Sequence, residues 1–248
     1  MQKMKAELPE SSSASHCKTS AKRPYRFSLP GSKVFTMKPA VIGVRVHSGW
    51  GALVAVAGQN GAEEIIERRK VIIIDAKRQG AAQPYHYVEE LELPAAERHL
   101  AQCAIDSKRL AREALDHIFS DLLRRGYALI GAAILLSSAR PLPDLDEILA
   151  SHALIHTAEG ESFRQVFRHA FESMEVPVTG ISERELDERA QQAFGKLATH
   201  VRKNINGMGR ILGPPWTQDE KTAALAAAIV LAETRAHPKA RSANARGA

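Results

Sequence analysis

The chain has 248 residues, of which 44% are hydrophobic and 25% charged, a composition typical of a globular protein with a sizeable core. No apolar run reaches the roughly 20 residues that span a bilayer, and no apolar stretch follows the N-terminus, which excludes a membrane partner and predicts a cytoplasmic protein. The two cysteines fit a reducing compartment better than a disulfide-stabilised fold.

The net charge of +6 is unevenly distributed. Residues 1–37 hold seven Lys or Arg against two acids, and residues 235–248 hold four basic residues and no acid, so the part between them carries −3. Both ends lack hydrophobic periodicity, which predicts a disordered basic leader at 1–37, one domain at 38–234 and a disordered basic tail at 235–248. Basic arms of this kind can contact phosphate backbones. Met37 is an alternative start, in which case the native protein lacks residues 1–36.

The first half of the domain predicts a meander of strands, a long helix and a buried strand. Three runs rich in Val, Ile and Ala are separated by glycine turns, which is typical of antiparallel strands. We expect these strands at about 41–47, 51–57 and 65–74. Apolar residues at three- and four-residue steps then predict a helix from Pro94 that stops at Gly126. The almost wholly apolar run Tyr127–Leu136 indicates a central strand covered on both faces.

The second half begins with an aromatic stripe at helical spacing. The stripe ends at Met174 and predicts a helix with its apolar face in the core. Val176-Pro177-Val178 predicts a short strand. Ser182 and Glu185 have the spacing of a capping box, which predicts that the next helix starts there.

The end of the domain predicts a loop and a terminal helix. Residues 204–215 are rich in glycine and proline, as loops are. Thr217 is expected to cap an alanine-rich helix that runs to about Glu233. The whole order is three strands followed by alternating helices and strands, which predicts an α/β domain with a mixed sheet.

Three segments carry motifs of one family. The first strand reads Ile42-Gly43-Val44-Arg45 and returns after Gly51. A helix leads into Val176-Pro177-Val178 and then Ser182-Glu183-Arg184-Glu185-Leu186. The last helix reads Asp219-Glu220-Lys221-Thr222-Ala223-Ala224-Leu225-Ala226. Together, over roughly residues 40–234, these segments resemble the RuvC-like branch of the ribonuclease H-like superfamily, the Holliday-junction resolvases and their relatives.

The resemblance implies a ribonuclease H-like mixed sheet flanked by helices. Actin-like ATPase domains begin with the same order of elements, but they need a second phosphate loop, and the sequence has none. The family holds two metal ions with acids from the first strand, the fourth strand and the last helix. Here Arg45 takes the first position and Tyr127–Ser138 contains no acid. In the last helix Glu220 matches one acid, whereas Ala223 takes the place of its partner.

The missing acids argue against two-metal cleavage and leave open whether the protein is an enzyme. No cofactor is expected, and a divalent metal is the minor alternative. A glycine turn exposes backbone N–H groups that can hold an anion, and a strand arginine can add a charge. The predicted ligand-binding residues are Arg45, His47, Ser48, Gly49 and, after the fourth strand, Ser138. A hairpin turn without a ligand explains the glycines equally well.

A second group of polar residues has helical spacing. His152, His156 and Glu159 follow one another at steps of four and three, so one helix would present all three on one face. Two histidines and a carboxylate can bind zinc, although a structural role accounts for these residues more simply. His156 and Glu159 are also candidates for acid/base chemistry.

The leading hypothesis is a RuvC-like domain that has lost the nuclease acids and binds a nucleic acid or another phosphorylated ligand. Arg202, Lys203 and Arg210 would contact the nucleic acid. The first alternative is a metal-independent or single-metal hydrolase, with catalytic candidates His47, His156, Glu159 and Glu220, and it requires the first three to converge. The second alternative is an assembly or regulatory domain without a catalytic role. A homodimer remains open.

Overall fold

The computed structural model describes residues 37–59, 61–137 and 141–236. The strands are β1 (Lys38–His47), β2 (Trp50–Gln59), β3 (Ala62–Ile72), β4 (Tyr127–Leu136) and β5 (Val178–Ser182). The helices are α1 (Pro84–Tyr87), α2 (Leu93–Arg124), α3 (Leu145–Leu149), α4 (His152–Glu172), α5 (Leu186–Phe194), α6 (Ala198–Gly207), α7 (Gly209–Leu212) and α8 (Gln218–Ala236). Within these residues, no helix combines the length and apolarity needed to cross a membrane.

The five strands form one mixed sheet in the order β3-β2-β1-β4-β5. Strands β1, β2 and β3 pair antiparallel, whereas β4 runs parallel to β1 and β5 runs parallel to β4. This is the predicted arrangement of three antiparallel strands followed by alternating helix and strand, so the fold prediction is confirmed. Because β1, β4 and β5 are parallel, their carboxyl ends lie at the same edge of the sheet.

Helices cover both faces of the sheet. Side chains alternate along a strand, so Ile42 and Val44 of β1 face helices α2 and α4, while Val41 faces α5, α6 and α8. Burial on both sides explains why β1, β2 and β4 are apolar along nearly their whole length.

Gly43 lets helix α8 approach the middle of the sheet. A Cβ atom at this position would lie 2.0 Å from the carbonyl oxygen of Ala223 and 3.2 Å from the Cβ of Ala227. Only glycine therefore fits beneath α8, whose residues 222–231 are all buried. The close contact sets the height of the first turn of α8 above the carboxyl edge.

Several predicted boundaries were wrong in the second half of the domain. The short strand is Val178–Ser182 rather than residues 176–178. Ser182 makes no capping hydrogen bond because it still belongs to the strand, and a 3-10 turn separates it from α5. Much of the loop predicted at 204–215 is helical, in α6 and α7. A capping box does form at Thr217. The Thr217 hydroxyl accepts a hydrogen bond from the Asp219 N–H, and the Thr217 N–H donates one to the Glu220 carboxylate.

The predicted terminal segments lie almost entirely outside the described residues. The basic leader stays a prediction, and so does the tail beyond residue 236. Helix α8 runs to Ala236, so residues 235 and 236 belong to the helix and not to the tail.

Candidate functional site

Arg45 lies near the end of β1 and points to the α8 side of the sheet. Its Nε donates to Glu183 Oε1 at 2.9 Å and its Nη2 to Glu183 Oε2 at 3.2 Å. Its Nη1 donates to Asp219 Oδ1. Partial burial disfavours the guanidinium charge, but the hydrogen bonds to Glu183 and Asp219 outweigh this effect and raise the pKa of Arg45. Two carboxylates thus hold a cation near the end of β1, at the carboxyl edge of the sheet.

Asp219 is positioned by the way α8 begins. Arg68 on β3 donates to the carbonyl oxygens of Leu212 at 2.8 Å and Gly213 at 2.9 Å, and also to those of Pro214 and Pro215. These bonds fix the chain that leads into the Thr217 cap. Asp219, in the first turn of α8, is then directed at Arg45.

Glu220 does not join this ion pair. Its carboxylate accepts from the backbone N–H of Thr217 at 2.8 Å and from the Thr217 hydroxyl, which completes the cap. The last-helix acid that reaches the carboxyl edge is therefore Asp219, one residue earlier than the sequence motif indicated. Glu183 was also missed, because nothing in its local sequence distinguishes it from the neighbouring Glu185.

His47 extends the same cluster along β1. Its Nε2 lies 3.0 Å from Asp219 Oδ2, although the geometry is not that of a hydrogen bond. The ring stacks on Trp50, with centroids 4.3 Å apart and planes 11° from parallel, and the Lys70 ammonium lies 4.2 Å from the centre of the Trp50 ring. His47 is thus held between an acid and an aromatic ring.

The turn after His47 contains two further predicted ligand residues. Gly49 is buried, adopts a φ of 79°, and its carbonyl accepts from the Ile73 N–H. Ser48 is exposed. Ser138 lies outside the described residues. The preceding Ser137 accepts a hydrogen bond of 2.7 Å from Arg164.

A basic cleft begins beside Glu183 and runs between α5, α6 and α8. Its first cavity has a volume of about 420 Å³, and the second, about 460 Å³, adjoins it at Asn206 and Lys221. The cationic residues that line the two cavities are Arg184, Arg202, Lys203, Arg210 and Lys221. Arg202 pairs with Asp187. In the part of the chain that the structure describes, the other four have no acidic partner.

The three predicted nucleic-acid contacts therefore line one cleft. Arg202 and Lys203 lie on helix α6, and Arg210 lies on the short helix α7. Trp216 lines the second cavity, with its Nε1 donating to the Ile205 carbonyl at 2.8 Å. Arg202 differs from Lys203 and Arg210 because its charge is already paired with an acid.

His156 and Glu159 lie on α4, on the opposite side of the sheet from the Arg45 ion pair. They meet His152 and a residue that the sequence did not single out, His86 of α1. No contact in the described residues joins them to His47, whose neighbours are Asp219 and Trp50. The predicted convergence of His47, His156 and Glu159 was therefore wrong, because β1 directs position 47 toward α8.

The strand order and strand directions define a ribonuclease H-like fold. Two RuvC structures from Thermus thermophilus, one in complex with a Holliday junction substrate, are similar to the chain with TM-scores of 0.47 and 0.46. They share 10% and 11% identity with it, over 79% of this chain and 95% and 96% of theirs. A Ppx/GppA family member from Aquifex aeolicus has a TM-score of 0.32 and 12% identity, over 64% of this chain and 40% of its own. No family model and no curated protein matches the sequence.

Proposed function

We propose that this protein binds the phosphate backbone of a nucleic acid without cleaving it by two-metal chemistry. The observation that carries the proposal is the basic cleft, in which Arg184, Lys203, Arg210 and Lys221 have no acidic partner among the described residues. The cleft starts at Glu183, beside the edge where a metal-dependent member of the family would hold its acids.

The ion pair at this edge argues against metal-dependent cleavage. A two-metal site needs several unpaired carboxylates. Here Glu183 and Asp219 already neutralise Arg45, and Glu220 serves the helix cap. A divalent ion would have to displace a hydrogen-bonded guanidinium, or lie next to its positive charge. The edge is therefore better suited to holding β1, β5 and α8 together than to catalysis.

The chemistry of the cleft matches a polyanion. Lys203 and Arg210 are exposed, so their charges reach solvent, and Lys221 connects the two cavities. Trp216 adds an aromatic surface on which an unpaired base can stack. The basic residues at both ends of the sequence would strengthen such binding without adding specificity.

Binding of the full chain to single-stranded, duplex and four-way-junction DNA tests this proposal. Fluorescence anisotropy at two salt concentrations measures affinity and its salt dependence. We expect the double variant Lys203→Ala/Arg210→Ala to bind more weakly. It should also lower the slope of log K against log salt by about one for each phosphate group that the variant no longer neutralises.

The matched control removes the same charge from the other side of the sheet. Arg98 and Lys108 are exposed on α2, so Arg98→Ala/Lys108→Ala changes the net charge equally and leaves the cleft intact. Wild-type affinity in the control and reduced affinity in the cleft variant would support the proposal. Equal losses in both variants, or no salt-sensitive binding by the wild type, would refute it.

A further inference from the structure

Three histidines meet where α1 packs against the start of α4. His152 and His156 are one turn apart on α4, and their Nε2 atoms lie 3.1 Å from each other. The ring of His86 lies edge-on to both, with centroid distances of 5.3 and 4.6 Å. One nitrogen from each of the three rings lies within 4.8 Å of the others. Among the described residues, this is the single group of three metal-ligating side chains that approach so closely.

Glu159 fixes the orientation of His86. The carboxylate is only 2% exposed and contacts His86 Nδ1. With Glu159 ionised, Nδ1 carries the proton and donates it, which leaves the Nε2 lone pair of His86 free to bind a metal. A carboxylate behind a histidine is the usual support of a zinc ligand, because it fixes the tautomer and makes the ring more basic.

The residues around Glu159 allow its carboxylate to support His86. Ile155 and Ala158 are fully buried beside it, in a small apolar cluster that also contains Ile148. The carboxylate thus lies inside the protein, whereas His152 and His156 are exposed and half-buried His86 lies between them and Glu159.

We propose that His86, His152 and His156 form a zinc site with three imidazole ligands and a fourth position open to solvent. Zinc prefers nitrogen ligands in tetrahedral geometry, with bonds of about 2.0–2.1 Å that place the nitrogens roughly 3.4 Å apart. The exposed rings on α4 need only small rotations to reach this spacing. The bound ion would tie α1 to α4, and this site is independent of the basic cleft.

Zinc titration of the chelator-treated full chain tests the proposal. We expect the wild type to bind one equivalent that His156→Ala and, independently, His152→Ala both lose. Co²⁺ should give the visible absorption of a tetrahedral site in the wild type and not in His152→Ala or His156→Ala. His117→Ala is the control, since His117 is an exposed histidine on α2 far along the chain from the cluster, and it should bind like the wild type.

Glu159→Gln separates a metal site from a set of packed rings. Without the carboxylate, zinc affinity should fall about 10- to 100-fold while the stoichiometry stays at one. His16 and His237 are present in every variant, so any zinc that they bind contributes equally to all the titrations. Zinc binding that is equal in the wild type, His152→Ala and His156→Ala would overturn the proposal, as would the absence of a bound equivalent in the wild type.

Discussion

The Arg45 ion pair and the histidine cluster lie on opposite sides of the sheet. They differ in whether their polar atoms already have partners within the protein. At the ion pair, both carboxylates contact one guanidinium, so each acid already has a partner within the protein. At the cluster, the Glu159 carboxylate is buried behind His86, and one nitrogen from each of three histidines lies within 4.8 Å of the others. Acids at the carboxyl edge of a sheet therefore do not by themselves indicate a metal. What counts is whether an internal partner already occupies them.

The largest expected effect comes from separating α8 from β1. In Gly43→Ala the new Cβ meets the Ala223 carbonyl, so α8 must move away and take Asp219 with it. We expect the free energy of unfolding to fall by about 3 kcal/mol, because backbone cannot yield as a flexible side chain does. Urea denaturation measures the change.

Gly207→Ala is the control for this substitution. Gly207 is the last residue of α6, and among the described residues no atom beyond its chain neighbours and its own helix backbone lies within 4 Å of a Cβ built there. The free energy of unfolding of Gly207→Ala should be unchanged or raised by about 0.5–1 kcal/mol, because alanine has a higher helix propensity than glycine. Equal stability of the two variants would show that α8 does not need the glycine.

A smaller effect is expected from removing the cation of the ion pair. Arg45→Met leaves Glu183 and Asp219 facing each other without a positive charge, and we expect a loss of about 2 kcal/mol. Arg109→Met, which breaks a surface pair with Glu113 whose side chains are 53% and 54% exposed, should cost less than about 0.5 kcal/mol. Equal losses would mean that Arg45 contributes no more than a surface arginine.

The smallest effect concerns independence of the two regions. The ion pair faces α8 and the cluster lies on α4. The residues changed in Arg45→Met and His156→Ala therefore have no contact in common. Their effects on zinc-free stability should add within about 0.5 kcal/mol, and Arg45→Met should leave zinc affinity unchanged. A double-mutant cycle measures the coupling, and a larger value would show that the sheet transmits changes between its faces.

The sequence predicted the fold better than the sites. Strand β4 has the predicted bounds, and helix α2 begins one residue before the predicted Pro94. These elements can be predicted from local sequence, through the spacing of apolar residues and the proline and glycine residues at their ends. The partners of Arg45 could not be read in this way, because Glu183 and Asp219 lie 138 and 174 residues further along the chain.

The histidine cluster shows the same limit in a milder form. The spacing of His152, His156 and Glu159 within one helix is visible in the sequence, and the structure places them together. His86, 73 residues before Glu159, comes from a four-residue helix with no motif to mark it. Local patterns reveal the part of a site that a single helix supplies. The remainder depends on how distant segments pack.

Arg68 has a consequence for how this protein can diverge. All four acceptors that its guanidinium holds before α8 are main-chain carbonyls, so it recognises the path of residues 212–215 and not their side chains. Arg68 places no demand on the side chains of that segment, where the path itself favours glycine only at Gly213, whose φ is 68°. Distant relatives should therefore be sought by an arginine on the third strand, even where the other residues before the last helix differ.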